Sequence, residues 1–361
     1  LHVGHARGAV VGSSLALALK AVGFEVTQEY YLNDAGTQIR LFAESVYAAY
    51  LRACGDGTAH APEGGYAGEY VDVIGNVIYG EMGTDLQVAN EESLRRIETQ
   101  ATRQVIKLIR DDLDAFKVHF DVWFSEKSLF SDGKYDATVA MLSEKGYLKE
   151  EEGALWFASV LLGEEKDNVV VRSSGAPTYF ATDIAYHFDK FTNRKFDRVI
   201  NIWGADHQGH ISRLKAAMTA LGIDSSKLKV LITQMVTLKS GRMSKRTGDL
   251  VTMRQLVDAI GSDACRYFFL SRSLDSHLDF DLDLATTQSA ENPVYYIQYA
   301  HARICSILIS VDDSHYAKVP LNLERLTHEA EQNLIKELIL FPDILMKVSE
   351  TLEPHHLTQS A

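Results

Sequence analysis

Hydrophobic and polar positions alternate along the chain in a pattern of short apolar runs separated by amphipathic stretches. From His5 to Ala21 small and apolar residues dominate, which predicts a buried helix, and Gly23 falls where a helix C-cap belongs. Glu25 to Leu32 then reads as a strand. A second strand-like group is Val169 to Arg172, followed after Pro177 by Tyr179 to Ala181. Arg198 to Trp203 is a buried-strand candidate that ends in Gly204-Ala205-Asp206-His207. An amphipathic helix follows, with Ile211, Leu214, Met218 and Leu221 on one face. Leu228 to Leu238 reads as a further strand.

Strands alternating with helices predict a doubly wound (Rossmann-like) α/β fold built on a parallel sheet. Such folds bind ligands at the C-terminal ends of their strands. Two segments interrupt the alternation. Tyr47 to Met82 is rich in Gly and Tyr, and Thr99 to Val118 places Val105, Ile109, Leu113 and Phe116 at helical spacing. Residues 47–118 therefore read as a helical insertion. After Asp283 the character changes: Asn292-Pro293 opens a mostly helical tail that continues through Leu334 to Leu352. A domain boundary is expected near Leu284, giving an α/β domain over 1–283 and an all-α domain over 284–361. No internal repeat or low-complexity tract appears.

Composition narrows the function classes. The apolar fraction of 46% and charged fraction of 24% are those of a soluble globular chain, and no apolar run reaches membrane-spanning length. Cys54, Cys265 and Cys305 lie far apart, which suggests neither a disulfide framework nor a zinc site, so a reducing, cytoplasmic compartment is expected. The chain begins at Leu1 with no leader-like region, and its start reads as the edge of a longer polypeptide. A net charge of -13 argues against indiscriminate nucleic-acid binding, because phosphate affinity comes from clustered cations. One basic patch stands against that background: Lys239, Arg242, Lys245 and Arg246 fall within eight residues.

Two motifs carry candidate chemistry. His2-Val3-Gly4-His5 opens the first helix, where free N–H groups and the positive dipole end suit a polyphosphate. Gly4 removes a side chain where a nucleotide must approach, and the two imidazoles can stabilise charge on phosphate oxygens. The plainer reading is a pair of structural or metal-binding histidines. The second motif, Arg242-Met243-Ser244-Lys245-Arg246-Thr247-Gly248, puts a mobile point charge in a loop ahead of a Thr252/Gln255 capping box. A solvated surface loop is the commoner meaning of such a run.

Taken together and in this order, the two resemble the HIGH and KMSKS signatures of class I aminoacyl-tRNA synthetases, here HVGH and RMSKR. Further segments are similar to the arginyl family: Tyr30 to Gly36, Phe120 to Glu126, Thr178 to His187 and Gly204 to His207. Asp263-Ala264-Cys265-Arg266 resembles its DALR sequence with Cys for Leu, and Asn292 to Arg303 is similar to the opening of its anticodon-binding domain. The resemblance implies that His2, His5 and Lys245 are catalytic and that His2, Gly4, His5, Asp206, Met243, Ser244 and Lys245 bind ATP. It implies that Glu126, Tyr179, Asp183 and Gln208 take arginine. ATP as substrate with Mg²⁺, L-arginine and tRNA(Arg) are the implied partners, with arginine activation requiring bound tRNA. No zinc, no membrane contact and a monomer are expected. The chain opens at HVGH and stops at Ala361, so an incomplete anticodon-binding surface is expected.

The arginine assignment agrees with the chemistry. A guanidinium has five donors, no acceptor and a permanent charge, so a selective pocket needs carboxylates placed for forked contacts. Without the resemblance, Asp183 reads as a helix N-cap or first-turn acid and Glu126 as a surface charge. Asp206 at a strand end is equally a ribose contact or a capped helix start, and Asn33 and Asp34 are equally turn residues or substrate contacts. His187, His210, His355 and His356 show no carboxylate partner at ligand spacing and read as ordinary core or surface histidines. Three kinds of rival fit less well, the first being another class I synthetase. A cysteinyl-type pocket needs a zinc cluster, and a glutamyl-type pocket needs Arg rather than Glu126 and Asp183. A non-catalytic RNA-binding paralogue is expected to lose the histidines or Lys245, and a small adenylyltransferase would be shorter and without the tail.

Overall fold

The computed structural model describes residues 1–239, 251–289, 291–310 and 322–360. Helix α1 (Val3–Ala21) runs from the first motif into a C-terminus closed by Gly23, whose φ of 95 supplies the left-handed residue that ends the helix. Strand β1 (Glu29–Leu32) follows. The segment expected as an insertion is helical throughout: α2 (Thr37–Ala53), α3 (Glu69–Met82) and α4 (Glu91–Ala115). These three helices hold their own core around Val46, Tyr50, Ile74, Ile78 and Ile97. The chain then returns to β2 (Val122–Ser125), which pairs parallel with β1.

After α5 (Lys127–Ser131) and α6 (Lys134–Glu144) come three short strands, β3 (Leu148–Glu151), β4 (Ala154–Phe157) and β5 (Asn168–Val171), in an antiparallel sheet. A two-residue turn makes the β3–β4 hairpin. Glu152 and Gly153 take φ values of 52 and 72, the signs a type I′ connection requires. Helix α7 (Tyr179–Thr192) leads to β6 (Val199–Gly204), a 3₁₀ turn over Ala205–His210, α8 (Ile211–Ala220) and β7 (Leu228–Thr233), which pairs parallel with β6. Next come β8 (Val236–Leu238), α9 (Met253–Ile260), α10 (Ser262–Leu270), β9 (Leu278–Phe280) and α11 (Leu282–Thr286), with β8 and β9 parallel. The tail holds α12 (Pro293–Ser310), α13 (Glu329–Thr351) and α14 (His355–Gln359).

The α/β reading with a helical insertion and a helical tail therefore holds, with three differences of detail. Tyr179–Ala181 is not strand: the Thr178 side chain accepts from the Ala181 N–H and starts a helix there. Leu228–Leu238 is two strands in two different sheets, broken at Gln234-Met235. The parallel strands form separate hydrogen-bonded pairs among the described residues, and the antiparallel β3–β4–β5 sheet was not foreseen. The Thr252/Gln255 capping box is present as expected.

One side of α1 packs against β6 and β7. A Cβ on Gly12 would lie 2.9 Å from Ile202 Cδ1, so only glycine lets the helix approach β6 this closely without shifting that side chain. Its inner residues Val3, Ala6, Val10 and Val11 join Phe269, Phe280 and Leu256 in one core, while Leu15 and Leu19 meet Val348 and Leu352 of the tail in another. No helix among the described residues is long and apolar enough to cross a membrane.

Candidate active site

The first motif builds its own helix start. His2 is the N-cap of α1, and its Nδ1 accepts from the Gly4 N–H at 3.1 Å. His5 Nδ1 accepts in turn from the His2 N–H at 3.3 Å, completing a reciprocal box made of two imidazoles. The rings lie 3.7 Å apart. Desolvation first, then His2 and the chain's terminal amino group, lower the His5 pKa to about 4, which favours the neutral ring. The space a Gly4 side chain would fill is taken by His2: a Cβ there would lie 2.9 Å from Cε1 of that ring. Glycine at this position is thus required by the cap itself. Residues 1–3 run beside the segment that leaves the basic loop. The Val3 N–H donates to Val251 O at 3.0 Å, and the Met253 N–H donates to Leu1 O at 3.0 Å. The start of the first motif therefore lies beside Val251 to Met253, whereas Arg242, Met243, Ser244, Lys245 and Arg246 lie outside the described residues.

A second group of polar residues gathers where β1 and β2 end. Asp34 is a structural link: its carboxylate accepts from Ser125 Oγ at 2.6 Å and from the Lys127 N–H at 3.1 Å. The Glu126 N–H donates to Leu32 O at 3.1 Å. Between them these bonds hold the Glu126 side chain inward, and it is only 6% exposed, which overturns the surface-charge reading. Burial is the main reason its pKa is raised, opposed by the nearby hydroxyls of Thr182 and Tyr31 and reinforced by the charges of Asp183 and Asp34. Oε2 of Glu126 and Oη of Tyr31 are buried without a hydrogen-bond partner among the described residues. Buried polar atoms normally have a partner, whether protein, ordered water or ligand, so these two oxygens are where a bound donor would find acceptors.

Asp183 reaches the same place from α7. It is buried within the helix rather than capping it, and Thr178 does the capping. Tyr179, one turn earlier, is half exposed, and its pKa is pushed up to about 12 by burial first and then by Asp183 and Glu126. Tyr31 is raised for the same reasons, burial leading. Two carboxylates and two phenols thus face one small volume. Tyr186 packs edge-on against Tyr31 with ring centres 4.7 Å apart and leads to a charged cluster: Glu29 accepts from Tyr186 and Arg194, with Lys190 at 3.5 Å. Those contacts outweigh burial and lower the Glu29 pKa, while desolvation lowers that of Lys190 to about 8.

Two histidines read as ordinary turn out to be partners of Asp183. His210 Nε2 lies 2.7 Å from Asp183 Oδ2, and His187 Nδ1 lies 2.7 Å from the Asp183 carbonyl. The first pairing spans 27 residues, too far for spacing along one element to reveal. His356 also has a carboxylate neighbour, Glu353 at 3.3 Å, as an i,i+3 pair at the start of α14.

An open cavity of about 570 Å³ adjoins this group, lined among others by Tyr179, Asp206, His210, Arg172 and Arg213. Asp206 sits on the 3₁₀ turn after β6 and folds back over Gly204, where a Cβ would meet Oδ1 at 2.5 Å. Gln208 is exposed on the same turn, makes no side-chain hydrogen bond among the described residues, and is not part of the cavity lining.

Comparison with known proteins agrees with this architecture. The family profile for tRNA synthetases class I (R), catalytic domain, matches residues 1–267, and that for the DALR anticodon binding domain matches residues 297–361. The chain belongs to the class I (R) tRNA synthetase family. Asp263–Arg266 falls inside the catalytic match, ahead of the DALR match, and the Arg266 guanidinium there donates to Phe116 O at 3.1 Å and to Ser14 Oγ at 3.1 Å. Curated proteins named arginine–tRNA ligase from Dehalococcoides mccartyi and Heliobacterium modesticaldum are 50% and 49% identical over 100% of this chain. The chain spans 66% of the length of each. A solved Campylobacter jejuni structure, described as a candidate arginyl-tRNA synthetase, superposes with a TM-score of 0.89 at 37% identity. That match covers 100% of this chain and 79% of the other.

Proposed function

We propose that the chain carries the catalytic machinery of an arginine–tRNA ligase, with residues 1–283 as the nucleotide-binding domain and 284–361 as the start of a helical anticodon-binding domain. The observation that carries this reading is the pair of buried carboxylates, Glu126 and Asp183, with Glu126 Oε2 left without a hydrogen-bond partner among the described residues. A guanidinium supplies donors and a permanent positive charge in one rigid fork. In the first step an oxygen of the arginine carboxylate bonds to the α-phosphorus of ATP and the bond to the β-phosphate breaks, giving arginyl-adenylate and pyrophosphate. In the second, the 2′-hydroxyl of the tRNA terminal ribose attacks the acyl carbon and AMP leaves. Mg²⁺ enters with ATP as part of that substrate. His2, Gly4 and His5 meet the phosphates, Asp206, Met243, Ser244 and Lys245 also bind ATP, and Gln208 contributes to arginine binding. The protein acts in the cytoplasm as a monomer. Aminoacylation of total tRNA with each amino acid supplied separately tests the reading. Charging with arginine alone is expected, and charging with a different amino acid sinks it.

Two outcomes follow for the phosphate side. His5→Ala is expected to slow ATP–pyrophosphate exchange by about 100-fold, since one lost transition-state contact costs about 3 kcal/mol. His2→Ala acts more weakly on exchange and removes about 1 kcal/mol of stability through the lost cap. Exchange left intact by both would put the phosphates elsewhere. Lys245→Ala is expected to lower the activation rate more than ATP affinity, because its contact strengthens as charge develops on the departing pyrophosphate. Equal losses in rate and ground-state binding would mark it as a plain binding residue.

A further inference from the structure

We propose that Arg213 is a positioning residue for Asp183, acting through His210 by fixing which ring nitrogen carries the proton. The inference rests on the reading that Asp183 receives the guanidinium of arginine.

Asp183 is gripped by two imidazoles, and each has a donor behind it. His187 accepts from Asn201 Nδ2 at 2.6 Å on Nε2, which leaves its Nδ1–H to donate to the Asp183 carbonyl. His210 is arranged in the opposite sense. Arg213 Nε donates to His210 Nδ1 at 2.7 Å, and an arginine has no acceptor to offer in return. Nδ1 must therefore present its lone pair, so the ring proton sits on Nε2 and points at Asp183 Oδ2, 2.7 Å away. With Oδ2 occupied in this way, Oδ1 has no hydrogen bond to any described residue and is the oxygen left for an incoming donor.

Arg213 is itself fixed. Its Nη1 donates to Asn168 Oδ1 at 3.1 Å, and its guanidinium lies 5.2 Å over the Phe180 ring. Phe180 in turn sets its edge against His210 with ring centres 5.5 Å apart. His210 and Asp183 are both buried, with His210 at the wall of the open cavity. Removing the arginine releases His210 to its other tautomer, which turns a lone pair toward Asp183 Oδ2. It also allows a second proton, which would cancel the carboxylate charge. Either change weakens the attraction for a guanidinium while leaving the ATP side of the site, built on α1, unaltered.

The test has two arms on the intact protein. Long-range ¹⁵N–¹H correlation spectra of histidine-labelled protein should show His210 as the Nε2–H tautomer, and Arg213→Met should move it to the Nδ1–H form or to imidazolium. In pyrophosphate exchange with tRNA present, Arg213→Met should raise the arginine KM by about 10-fold or more, the scale of one charge-assisted hydrogen bond, with the ATP KM within about twofold. Arg213→Lys, which keeps one donor, should recover part of the loss. Asn168→Asp, which keeps the Oδ1 acceptor for Arg213 and loses the amide's bonds to Ser159 and Lys166, should leave the arginine KM within about twofold. Asn168→Ala, which also removes the far anchor of Arg213, should raise it by less than Arg213→Met does, and serves if Arg213→Met does not fold. An unchanged His210 tautomer in Arg213→Met, or equal rises in both KM values, overturns the proposal. A wild-type protein that ignores arginine while its His210 tautomer still follows Arg213 would instead overturn the arginine reading.

Discussion

Replacing Asp183 by Asn, or Glu126 by Gln, is expected to raise the arginine KM by about two to three orders of magnitude with the ATP KM within about twofold. Each swap keeps size and shape but removes a negative charge. Both carboxylates are buried, so water cannot stand in for the lost charge when a guanidinium arrives. A desolvated charge left without its partner costs on the order of 3–5 kcal/mol, against less than about 1 kcal/mol for an exposed pair. The magnitude thus separates the two readings of these acids. A change of less than about threefold in KM at both positions would return them to the status of structural acids. Asp183→Asn should be the more severe, because the asparagine amide can no longer hold both the His210 Nε2–H and a ligand donor as a carboxylate does.

Arg7→Met is expected to destabilise the fold by about 3–5 kcal/mol, measured by urea unfolding. Arg7 lies in α1 with 0% exposure and is the hub of three segments. Its guanidinium donates to Gln234 O at 3.1 Å, to Ser276 O at 2.8 Å and to Ser273 O at 2.7 Å. Burial lowers its pKa, with Asp275 opposing, yet a guanidinium stays charged under any folding condition. Methionine matches the volume but takes the donor from the Gln234 and Ser276 carbonyls, at about 1–3 kcal/mol each before relaxation and water entry, while Ser273 O keeps the Ser276 N–H and Oγ. Arg7→Lys should recover less than half, because one ammonium cannot fork to carbonyls on separate segments. A loss below about 1 kcal/mol in Arg7→Met would mean the carbonyls find water instead.

Arg7 also explains why part of the fold was hidden in the sequence. Leu228 to Leu238 reads as one strand, with no Gly or Pro inside it to mark a stop. The break at Gln234 comes from a guanidinium 227 residues earlier that takes its carbonyl and turns the chain from the β6 pair toward the β9 pair. Where local chemistry decides, the sequence was readable. Arg198–Trp203 became β6 within one residue at each end, the Thr252 cap formed, and Gly23 ended α1. Tyr179–Ala181 misled because aromatic residues favour strands, although Thr178 three residues before Ala181 was a legible cap. The Glu151–Ala154 hairpin also had a signal, a Gly in second position of a two-residue turn.

The site divides along the same line. The histidines at a helix start pointed to phosphate by themselves, whereas the acids pointed to a guanidinium only through the family resemblance, and the fold draws Glu126, Tyr179 and Asp183 together. The burial of Glu126 depends on Asp34 bonding Ser125 across 91 residues, and the tautomer of His210 depends on which face of α8 carries Arg213. Neither is a property of a motif. The role of Gly4 was legible as a need for space, but the group that takes the space is His2 of the same motif.

The central claim is that buried carboxylates select a guanidinium, and ATP–pyrophosphate exchange with tRNA present measures it most directly. The wild-type protein is offered arginine, citrulline or lysine in turn. Citrulline is nearly the same shape without the charge, and lysine carries the charge without the fork. The predicted result is exchange with arginine alone, lost in Asp183→Asn and Glu126→Gln at arginine concentrations that saturate the wild type. Exchange with citrulline at a rate comparable to arginine, or with another amino acid and not with arginine, would contradict it.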